Sequence, residues 1–191
     1  MSKYIVLDLD NTVIFSSEST NNNANLVFDD GSKYECFKRP GFDKFMDYID
    51  THMTAVFVWS AGSPDYVAKV IESMFPYRPN LVWASDRCER KKDIDENMYP
   101  YIKPLEAIYR HMQVIYPHSW NEDELYNPDS FYPNMFNTIM LDDRHEIAVD
   151  NKHNHIQVKP FEGDVNDTEL TRVTSILNGW KDNMTALDVC I

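Results

Sequence analysis

The stretch VLDLDNT, residues 6–12, places two carboxylates two residues apart directly after a short apolar segment. Tyr4–Leu7 is rich in residues that favour strands, and the polar Asp8 ends it, which predicts a buried strand. Asp8 and Asp10 then lie at the carboxyl end of that strand. Ligands of parallel sheets bind beyond the carboxyl ends of the strands. This stretch therefore predicts both a fold class and the place of a functional site.

Strand segments alternate with helical segments along the rest of the chain. Further strands are predicted at Ala55–Trp59, Leu81–Trp83, 138–141 and 155–158. Apolar residues at helical spacing predict helices that start at Pro40, Pro64 and Pro104, and a last one behind a capping box of Asn166 with Glu169. This alternation predicts an α/β fold, a mostly parallel sheet with helices on both faces, in one domain over residues 1–191.

Two stretches interrupt the alternation. Residues 12–25 are dominated by Ser and Asn and are expected to form a loop. Residues 26–28 and 33–37 flank Asp29-Asp30-Gly31, which predicts a β-hairpin insertion. Between Thr12 and Ser60 only a loop, a hairpin and a helix are therefore expected, so no large cap domain should cover the site.

The net charge and the cysteines indicate which partners and which cellular compartment to expect. The formal net charge of −13 repels phosphate backbones, so a broad nucleic-acid-binding surface is not expected. Cys36, Cys88 and Cys190 are widely spaced and odd in number, which is typical of reduced thiols in an intracellular protein. No apolar run reaches the roughly 18 residues of a membrane span. Asp8 and Asp10 also come too early for a signal peptide, so we expect a cytoplasmic or nuclear protein.

The DxDxT pattern of residues 8–12 suits phosphoryl transfer. A carboxylate at Asp8 can attack phosphorus and split one hard step into two easier ones. Asp10 can protonate the leaving oxygen and later take a proton from the hydrolytic water. Mg²⁺, which prefers oxygen ligands, would let an anionic nucleophile approach an anionic phosphate. A lone DxD is more often an acidic strand end or a helix cap. The residues at the other strand ends must therefore decide whether this motif is catalytic or structural.

Two other predicted strands end on polar groups. Ser60 follows Ala55–Trp59, and its hydroxyl with nearby backbone N–H groups could hold a phosphate oxygen. Asp142-Asp143 follow the strand at 138–141 and fit Mg²⁺ coordination, with the choice between them open. Taken singly, each group could equally be a loop serine or a polar turn. Three strand ends that deliver phosphate chemistry to one edge favour a catalytic site.

A lysine is also needed to neutralise the phosphate and the nucleophile. Lys103 precedes a predicted helix and is the best candidate. Lys91 and Lys92 are rivals, but they lie in the charged segment 86–97 and no apolar helix follows them.

These motifs resemble the small RNA-polymerase-tail phosphatases, the NLI-interacting-factor-like group of the haloacid dehalogenase superfamily. The matching pieces are VLDLDNT (6–12), FKRPGFDKF (37–45), VFVWSAG (56–62), YIKPL (101–105), IMLDDR (139–144) and NDTEL (166–170). They occur in family order over nearly the whole chain. DxDxT marks only the superfamily, whereas KRPG and the terminal DTEL are more specific to this group.

The resemblance implies a role for each candidate residue. Asp8 is expected to be the nucleophile and Asp10 the acid/base, an acid that the dehalogenases of the superfamily lack. Thr12, Ser60 and Lys103 are expected to bind the substrate phosphate. The family usually has Thr where Ser60 stands, but the hydroxyl is kept.

The resemblance also implies a Mg²⁺ ion. Its expected ligands are the Asp8 side chain, the Asp10 backbone carbonyl and a carboxylate of the Asp142-Asp143 pair, with Asp143 preferred. The fold implied is a HAD-like, Rossmann-like sheet.

The expected substrate is a phosphoserine or phosphothreonine protein, such as a polymerase-tail-like peptide. The alternative is a phosphatase of small metabolites or of nucleic-acid ends. A silent binding module would need a damaged motif, and none of the expected acids is missing.

Residues 112–137 form a longer stretch than the small family members show. This insertion holds Trp120, Tyr126, Phe131 and Tyr132 among acids. The rings could grip a peptide, pack the insertion onto the domain, or support self-association.

Overall fold

A computed structural model describes residues 1–17, 24, 26–29, 33–90, 101–117, 122–146 and 151–190. Within them the strands are β1 (Tyr4–Leu7), β2 (Ile14–Ser17), β3 (Leu26–Asp29), β4 (Lys33–Lys38), β5 (Ala55–Trp59), β6 (Leu81–Trp83), β7 (Glu89–Arg90), β8 (Tyr101–Ile102), β9 (Thr138–Asp142) and β10 (His155–Gln157). Five of them form a parallel sheet in the order β10-β9-β1-β5-β6. The five predicted strands of the parallel sheet are therefore confirmed.

Helices cover both faces of this sheet. They are α1 (Phe42–His52), α2 (Pro64–Met74), α3 (Leu105–Ile115), α4 (Glu122–Leu125), α5 (Glu169–Gly179) and α6 (Ala186–Val189). Buried residues of α1, α2 and α5 share one apolar cluster, and those of α3 belong to a second cluster. The predicted α/β class is confirmed.

The central strand β1 shows how the sheet is buried. Ile5 and Leu7 belong to the first cluster, whereas Tyr4 and Val6 belong to the second. All four residues are buried because successive side chains of a strand point to opposite faces, and both faces are covered. This burial explains why β1 is a continuous apolar run that stops where the strand reaches the edge.

A small antiparallel sheet lies between β1 and β5 in the sequence, with the strand order β2-β4-β3. The predicted hairpin corresponds to β3 and β4, and its turn at residues 30–32 lies outside the described residues. The loop predicted over residues 12–25 is wrong for Ile14–Ser17, which pairs antiparallel with β4 as β2. The serines of β2 gave no strand signal, and pairing with β4 supplies the order that local preference does not. Described residues between β1 and β5 hold only this sheet and α1.

Two predicted helix starts need correction. The first helix starts at Phe42 rather than at Pro40, behind Gly41, whose φ of 83° lies in the left-handed region that favours glycine. The capping box of Asn166 with Glu169 is wrong. The N-cap of α5 is Thr168, and the Asp167 carboxylate instead accepts from the Glu169 backbone N–H at 2.8 Å.

The other helix starts follow the sequence more closely. The Ser63 hydroxyl caps α2 by accepting from the Tyr66 backbone N–H at 3.3 Å. The helix predicted from Pro104 begins at Leu105, and Pro104 is its N-cap.

Buried asparagine side chains near the carboxyl end of the insertion, residues 112–137, hydrogen-bond to its backbone carbonyls. Asn134 Nδ2 donates to the carbonyls of Glu124 and Asn127, both at 2.8 Å. Asn137 Nδ2 donates to the carbonyl of Tyr132 at 2.9 Å. Residues 118–121, which include Trp120, lie outside the described residues.

The insertion contacts the amino end of the central sheet. The Tyr4 hydroxyl, at the start of β1, donates to the carbonyl of Phe131. Tyr126 and Phe131 are 67 % and 69 % exposed, whereas Tyr132 is half-buried and packs against Tyr116. This edge is opposite the one where Asp8 lies. Within the described part of the chain, no helix is long and apolar enough to cross a membrane.

Candidate active site

The carboxyl ends of three neighbouring strands bring together the predicted site residues. Leu7 of β1 pairs in register with Leu141 of β9 and with Val58 of β5. The backbone N–H of Asp8 donates to the carbonyl of Leu141 at 2.9 Å, so Asp8 and Asp142 continue side by side past the paired residues. Ser60, directly after β5, is also buried.

Lys103 joins two of these carboxylates. Its Nζ lies 2.5 Å from Asp8 Oδ1 and 2.8 Å from Asp142 Oδ2, and its side chain is fully buried. Burial alone would lower the pKa of Lys103, but the charges of Asp8 and Asp142 outweigh burial and raise it. Burial raises the pKa of Asp8, and the Lys103 ammonium opposes that rise. The structure thus places Lys103 beside Asp8, the residue predicted to be the nucleophile. The rival lysines, Lys91 and Lys92, lie outside the described residues.

Thr12 connects the first motif to the Asp142-Asp143 pair. Its hydroxyl lies 3.1 Å from Asp8 Oδ2 and 3.4 Å from Asp143 Oδ1, and it accepts from the Asp143 backbone N–H at 3.1 Å. Thr12 is completely buried, and its hydroxyl contacts both carboxylates without belonging to the lining of the nearby pocket. Burial raises the pKa of Asp143 to about 6, with the charge of Asp142 adding to the effect.

Asp8, Asp142 and Asp143 form a carboxylate cluster that suits a divalent cation. Each offers one oxygen, and these oxygens lie within 4.8 Å of one another. Hard cations such as Mg²⁺ take carboxylate and carbonyl oxygens as ligands, so the donor set fits the ion expected from the sequence. Both oxygens of Asp142 already have partners, because Oδ2 accepts from Lys103 and Oδ1 accepts from the Arg144 backbone N–H at 2.9 Å.

Asp10 turns away from this cluster toward two hydroxyl groups. Its Oδ1 accepts from the hydroxyl of Tyr66 on α2 at 2.5 Å and from that of Ser16 on β2 at 2.9 Å. Burial raises the pKa of Asp10, and these two hydrogen bonds oppose the rise. Burial and the charge of Asp10 raise the pKa of Tyr66, so its hydroxyl keeps its proton.

The acids surround a small pocket at the edge of the sheet. Its volume is about 370 Å³, and its lining is Asp8, Asp10, Asn11, Ser60, Ala61, Gly62, Asp143 and Arg144. The Ser60 hydroxyl accepts from the Gly62 backbone N–H at 2.9 Å, which orients its own hydrogen away from that amide. A larger groove of about 840 Å³ lies between α2 and β6, and none of the predicted site residues lines it. The smaller pocket is therefore the candidate active site, because the predicted site residues Asp8, Asp10 and Ser60 line it.

Arg39 is a structural residue of the site whose role sequence analysis missed. It is 1 % exposed and donates to the carbonyl of Thr12 at 2.8 Å and to that of Lys159 at 2.7 Å. The backbone of Asn11 has a φ of 60°, and its carbonyl accepts from the Phe161 backbone N–H at 2.7 Å. These contacts hold the turn that follows Asp10 against the segment between β10 and α5.

Asn151 is a second residue that sequence analysis missed. Its Nδ2 donates to the carbonyl of Lys103 at 2.6 Å, and its Oδ1 accepts from the Leu105 backbone N–H at 2.9 Å. The buried amide thereby clamps the backbone on both sides of Pro104. No spacing in the sequence relates Asn151 to Lys103, because the contact joins the segment between β9 and β10 to the residues just before α3.

Comparison with known proteins points to one family. The family model described as NLI interacting factor-like phosphatase matches residues 3–188. No curated protein sequence matches this chain. Two solved structures of Fcp1 are similar in fold, one described as an essential RNA polymerase II CTD phosphatase, the other a fission yeast Fcp1 variant bound to beryllium fluoride.

The similarity to the Fcp1 structures is structural more than sequential. The first has a TM-score of 0.58 and 16% identity, and the match covers 92% of this chain and 49% of that one. The fission yeast structure has a TM-score of 0.57 and 18% identity, and the match covers 98% and 48% of the two chains. This chain therefore spans about half the length of the Fcp1 chains that it matches.

Proposed function

We propose that this chain, which belongs to the NLI interacting factor-like phosphatases, hydrolyses phosphoserine and phosphothreonine esters with Mg²⁺ and through an aspartyl-phosphate. One observation carries the proposal. The Lys103 ammonium bridges the carboxylates of Asp8 and Asp142 at the carboxyl edge of the sheet, with Asp10 two residues beyond Asp8. Lys103 supplies a buried positive charge beside Asp8, where an anionic phosphate would meet an anionic nucleophile.

The first step transfers the phosphoryl group to Asp8. A carboxylate oxygen of Asp8 forms a bond to phosphorus while the bond between phosphorus and the ester oxygen breaks. The carboxyl group of Asp10 gives its proton to that oxygen, which leaves as an alcohol. Lys103, which lies beside Asp8, and the Ser60 hydroxyl, which belongs to the pocket lining, would stabilise the phosphoryl oxygens during transfer.

The second step regenerates the enzyme. Asp10, now a carboxylate, takes a proton from water, and the water oxygen forms the new bond to phosphorus. The bond between phosphorus and the Asp8 oxygen breaks, which releases inorganic phosphate and restores the Asp8 carboxylate. One acid therefore serves both steps, once as donor and once as acceptor.

Mg²⁺ would be held by Asp8 and Asp143 side chains and the Asp10 carbonyl. When bound, the ion neutralises charge on the phosphate and on the nucleophile. Asp143 is the preferred ligand of the pair because both oxygens of Asp142 are engaged, by Lys103 and by the Arg144 N–H. Asp142 would then act by holding Lys103 in place.

A protein substrate is supported by the surroundings of the pocket. Described residues between β1 and β5 add only the small antiparallel sheet and α1, so they leave room for a large ligand. Ala61, Gly62 and Arg144 around the pocket are half-buried and reach the surface. The net charge of −13 disfavours nucleic-acid substrates. The free thiols of Cys36, Cys88 and Cys190 support a location inside the cell, in the cytoplasm or nucleus.

A substrate panel tests the proposal. Phosphate release would be measured on phosphoserine and phosphothreonine peptides of the polymerase-tail type, on nucleotides and sugar phosphates, and on 5′- and 3′-phosphorylated oligonucleotides. We expect the highest kcat/KM on the peptides. Higher kcat/KM on nucleotides or oligonucleotide ends would replace the peptide proposal with a metabolite or nucleic-acid phosphatase.

A further inference from the structure

Asp10 is held by a pair of hydroxyls from two separate elements. Tyr66 on α2 and Ser16 on β2 both reach Oδ1, at 2.5 Å and 2.9 Å, and their own oxygens lie 2.5 Å apart. The three oxygens thus form a closed triangle. The hydrogen bond between Tyr66 and Asp10 joins residues 56 positions apart in the sequence, so it depends on the packing of α2 against the small antiparallel sheet.

Within the part of the chain that the structure describes, the side-chain hydrogen bonds from Tyr66 and Ser16 both go to Oδ1 of the carboxyl group. Each hydroxyl has a single hydrogen, so three arrangements are possible: both hydroxyls donate to Oδ1, or one of them donates to Oδ1 while the other donates to its partner hydroxyl. In every arrangement Oδ1 accepts at least one hydrogen bond, so Oδ2 is the atom assigned to proton exchange with a ligand in the pocket. A carboxyl group held at one oxygen keeps a defined orientation, which proton transfer requires.

Gly62 makes room for this contact. A Cβ built on Gly62 would lie 2.7 Å from Cδ1 of the Tyr66 ring and 3.2 Å from the Ser60 hydroxyl oxygen. Real side chains essentially never approach that closely, so any other residue at this position would push the ring away. The loop after β5 therefore admits the Tyr66 ring against its backbone, and the ring reaches across it to Asp10.

We propose that Tyr66 is a positioning residue for the acid/base Asp10, with Ser16 as its partner. This inference rests on the proposed function, because it assigns a role within the first step. Tyr66 donates a hydrogen bond to Oδ1 and turns Oδ2 toward the leaving oxygen. The proton that leaves Asp10 goes to the departing alkoxide, and Tyr66 keeps its own.

The dependence on the leaving group separates positioning from simple structural support. A serine alkoxide is a poor leaving group and needs the proton of Asp10 as the ester bond breaks. An activated aryl phosphate such as p-nitrophenyl phosphate releases a stabilised phenolate that needs little help. Loss of positioning should therefore affect the phosphoserine peptide far more than the aryl phosphate. A general loss of folding would affect both substrates alike.

The experiment compares Tyr66→Phe with wild type on a phosphoserine peptide and on p-nitrophenyl phosphate. The quantity measured is kcat/KM, which reports on the steps through phosphoryl transfer to Asp8 and not on hydrolysis of the phospho-enzyme. We expect about a tenfold or larger loss on the peptide, because lost positioning removes part of the roughly 10²–10⁴ that general acid catalysis contributes, and less than about threefold on the aryl phosphate. Tyr77→Phe is the matched control, because its half-buried hydroxyl donates to the Met46 carbonyl away from the pocket.

A second variant guards against a folding defect in Tyr66→Phe. Ser16→Ala removes the partner hydroxyl, so it should show the same selective loss on the peptide. Equal loss on the two substrates, or no loss on the peptide, overturns the positioning role. A wild-type protein that releases phosphate from neither substrate overturns the proposed function, and the inference falls with it.

Discussion

Arg39 holds Asp167 with both arms of its guanidinium. Nε donates to Oδ1 and Nη2 donates to Oδ2, each at 2.8 Å, and the two side chains are 0 % and 9 % exposed. The same Arg39 donates to the carbonyl of Thr12, the last residue of the DxDxT motif. The pair therefore connects the end of β4, the start of α5 and the turn that carries Asp10.

Breaking this pair should destabilise the fold. Asp167→Asn leaves the Arg39 charge buried without its counter-ion, and loss of one partner of a buried pair typically costs about 3–5 kcal/mol. We expect that loss in the free energy of unfolding measured by urea titration. Asp182→Asn is the control, since Asp182 pairs with Lys3 at an exposed position and should leave the urea midpoint unchanged. Similar urea midpoints for Asp167→Asn and Asp182→Asn would contradict a structural role for the ion pair between Arg39 and Asp167.

The stability that Asp167 contributes should depend on pH. Hydrogen bonding by Arg39 holds the pKa of Asp167 below its ordinary value of 3.8. A group with a lowered pKa in the folded state stabilises the protein above the unfolded pKa, and that contribution is lost as the pH falls through the folded value. The difference in unfolding free energy between wild type and Asp167→Asn should thus be constant from pH 7 to about 5 and shrink below pH 3.8. A difference that stays constant down to pH 3 would argue against this linkage.

Asp8→Asn should abolish turnover. An amide cannot form the phospho-enzyme, and loss of a nucleophile costs several orders of magnitude, about 10⁴ or more. The measurement is kcat on p-nitrophenyl phosphate, with the melting temperature recorded to show that the variant is folded. Asp50→Asn, at an exposed position of α1, should keep wild-type activity. Near-normal activity in Asp8→Asn would remove Asp8 from the nucleophile role.

Metal dependence should separate the two acids of the Asp142-Asp143 pair. A chelator should stop turnover and added Mg²⁺ should restore it. Asp143→Ala should raise the Mg²⁺ concentration for half-maximal activity at least about tenfold, as for loss of groups around a bound metal, with little change in melting temperature. Asp142→Asn, which removes a partner of the buried Lys103, should instead lower the melting temperature. The reverse pattern would make Asp142 the ligand.

The exposed rings of the insertion should be dispensable for chemistry. Phe131 contacts Tyr4 through its backbone at the amino end of β1, and four residues of strand, about 13 Å, separate Tyr4 from Asp8. This placement favours packing over peptide capture beside the phosphate. We expect Tyr126→Ala and Phe131→Ala to stay within about twofold of wild type on both aryl phosphate and phosphopeptide. A loss of kcat/KM on the peptide alone would restore the recognition role considered for these rings.

The parts of the site that sequence analysis found are those that end strands. Asp8, Ser60 and Asp142 follow apolar runs, and the carboxyl ends of parallel strands share one edge, so their proximity follows from the alternation of strands and helices. Lys103 was predicted because a phosphate site needs a positive charge near the nucleophile, and in the structure its ammonium pairs with Asp8 and Asp142.

The parts that were missed depend on packing between elements. Tyr66 reaches Asp10 only because α2 packs against the small antiparallel sheet, and β2 itself gave no strand signal because half of it is serine. Arg39 and Asp167 stand in the two segments, KRPG and DTEL, that looked most specific to the family. Nothing in their positions along the chain indicates that Arg39 and Asp167 are in contact. Only the fold shows that the two segments are joined by hydrogen bonds between these side chains.

The contact between Thr12 and Asp143 joins residues 131 positions apart. Chains are synthesised from the amino end at about 5–20 residues per second, so Asp8 leaves the ribosome many seconds before its partners exist. During that interval Asp8 has neither Lys103 nor Asp142 and Asp143 beside it. Under the proposed function the nascent chain should therefore release no phosphate, and activity should begin only once β9 has inserted next to β1.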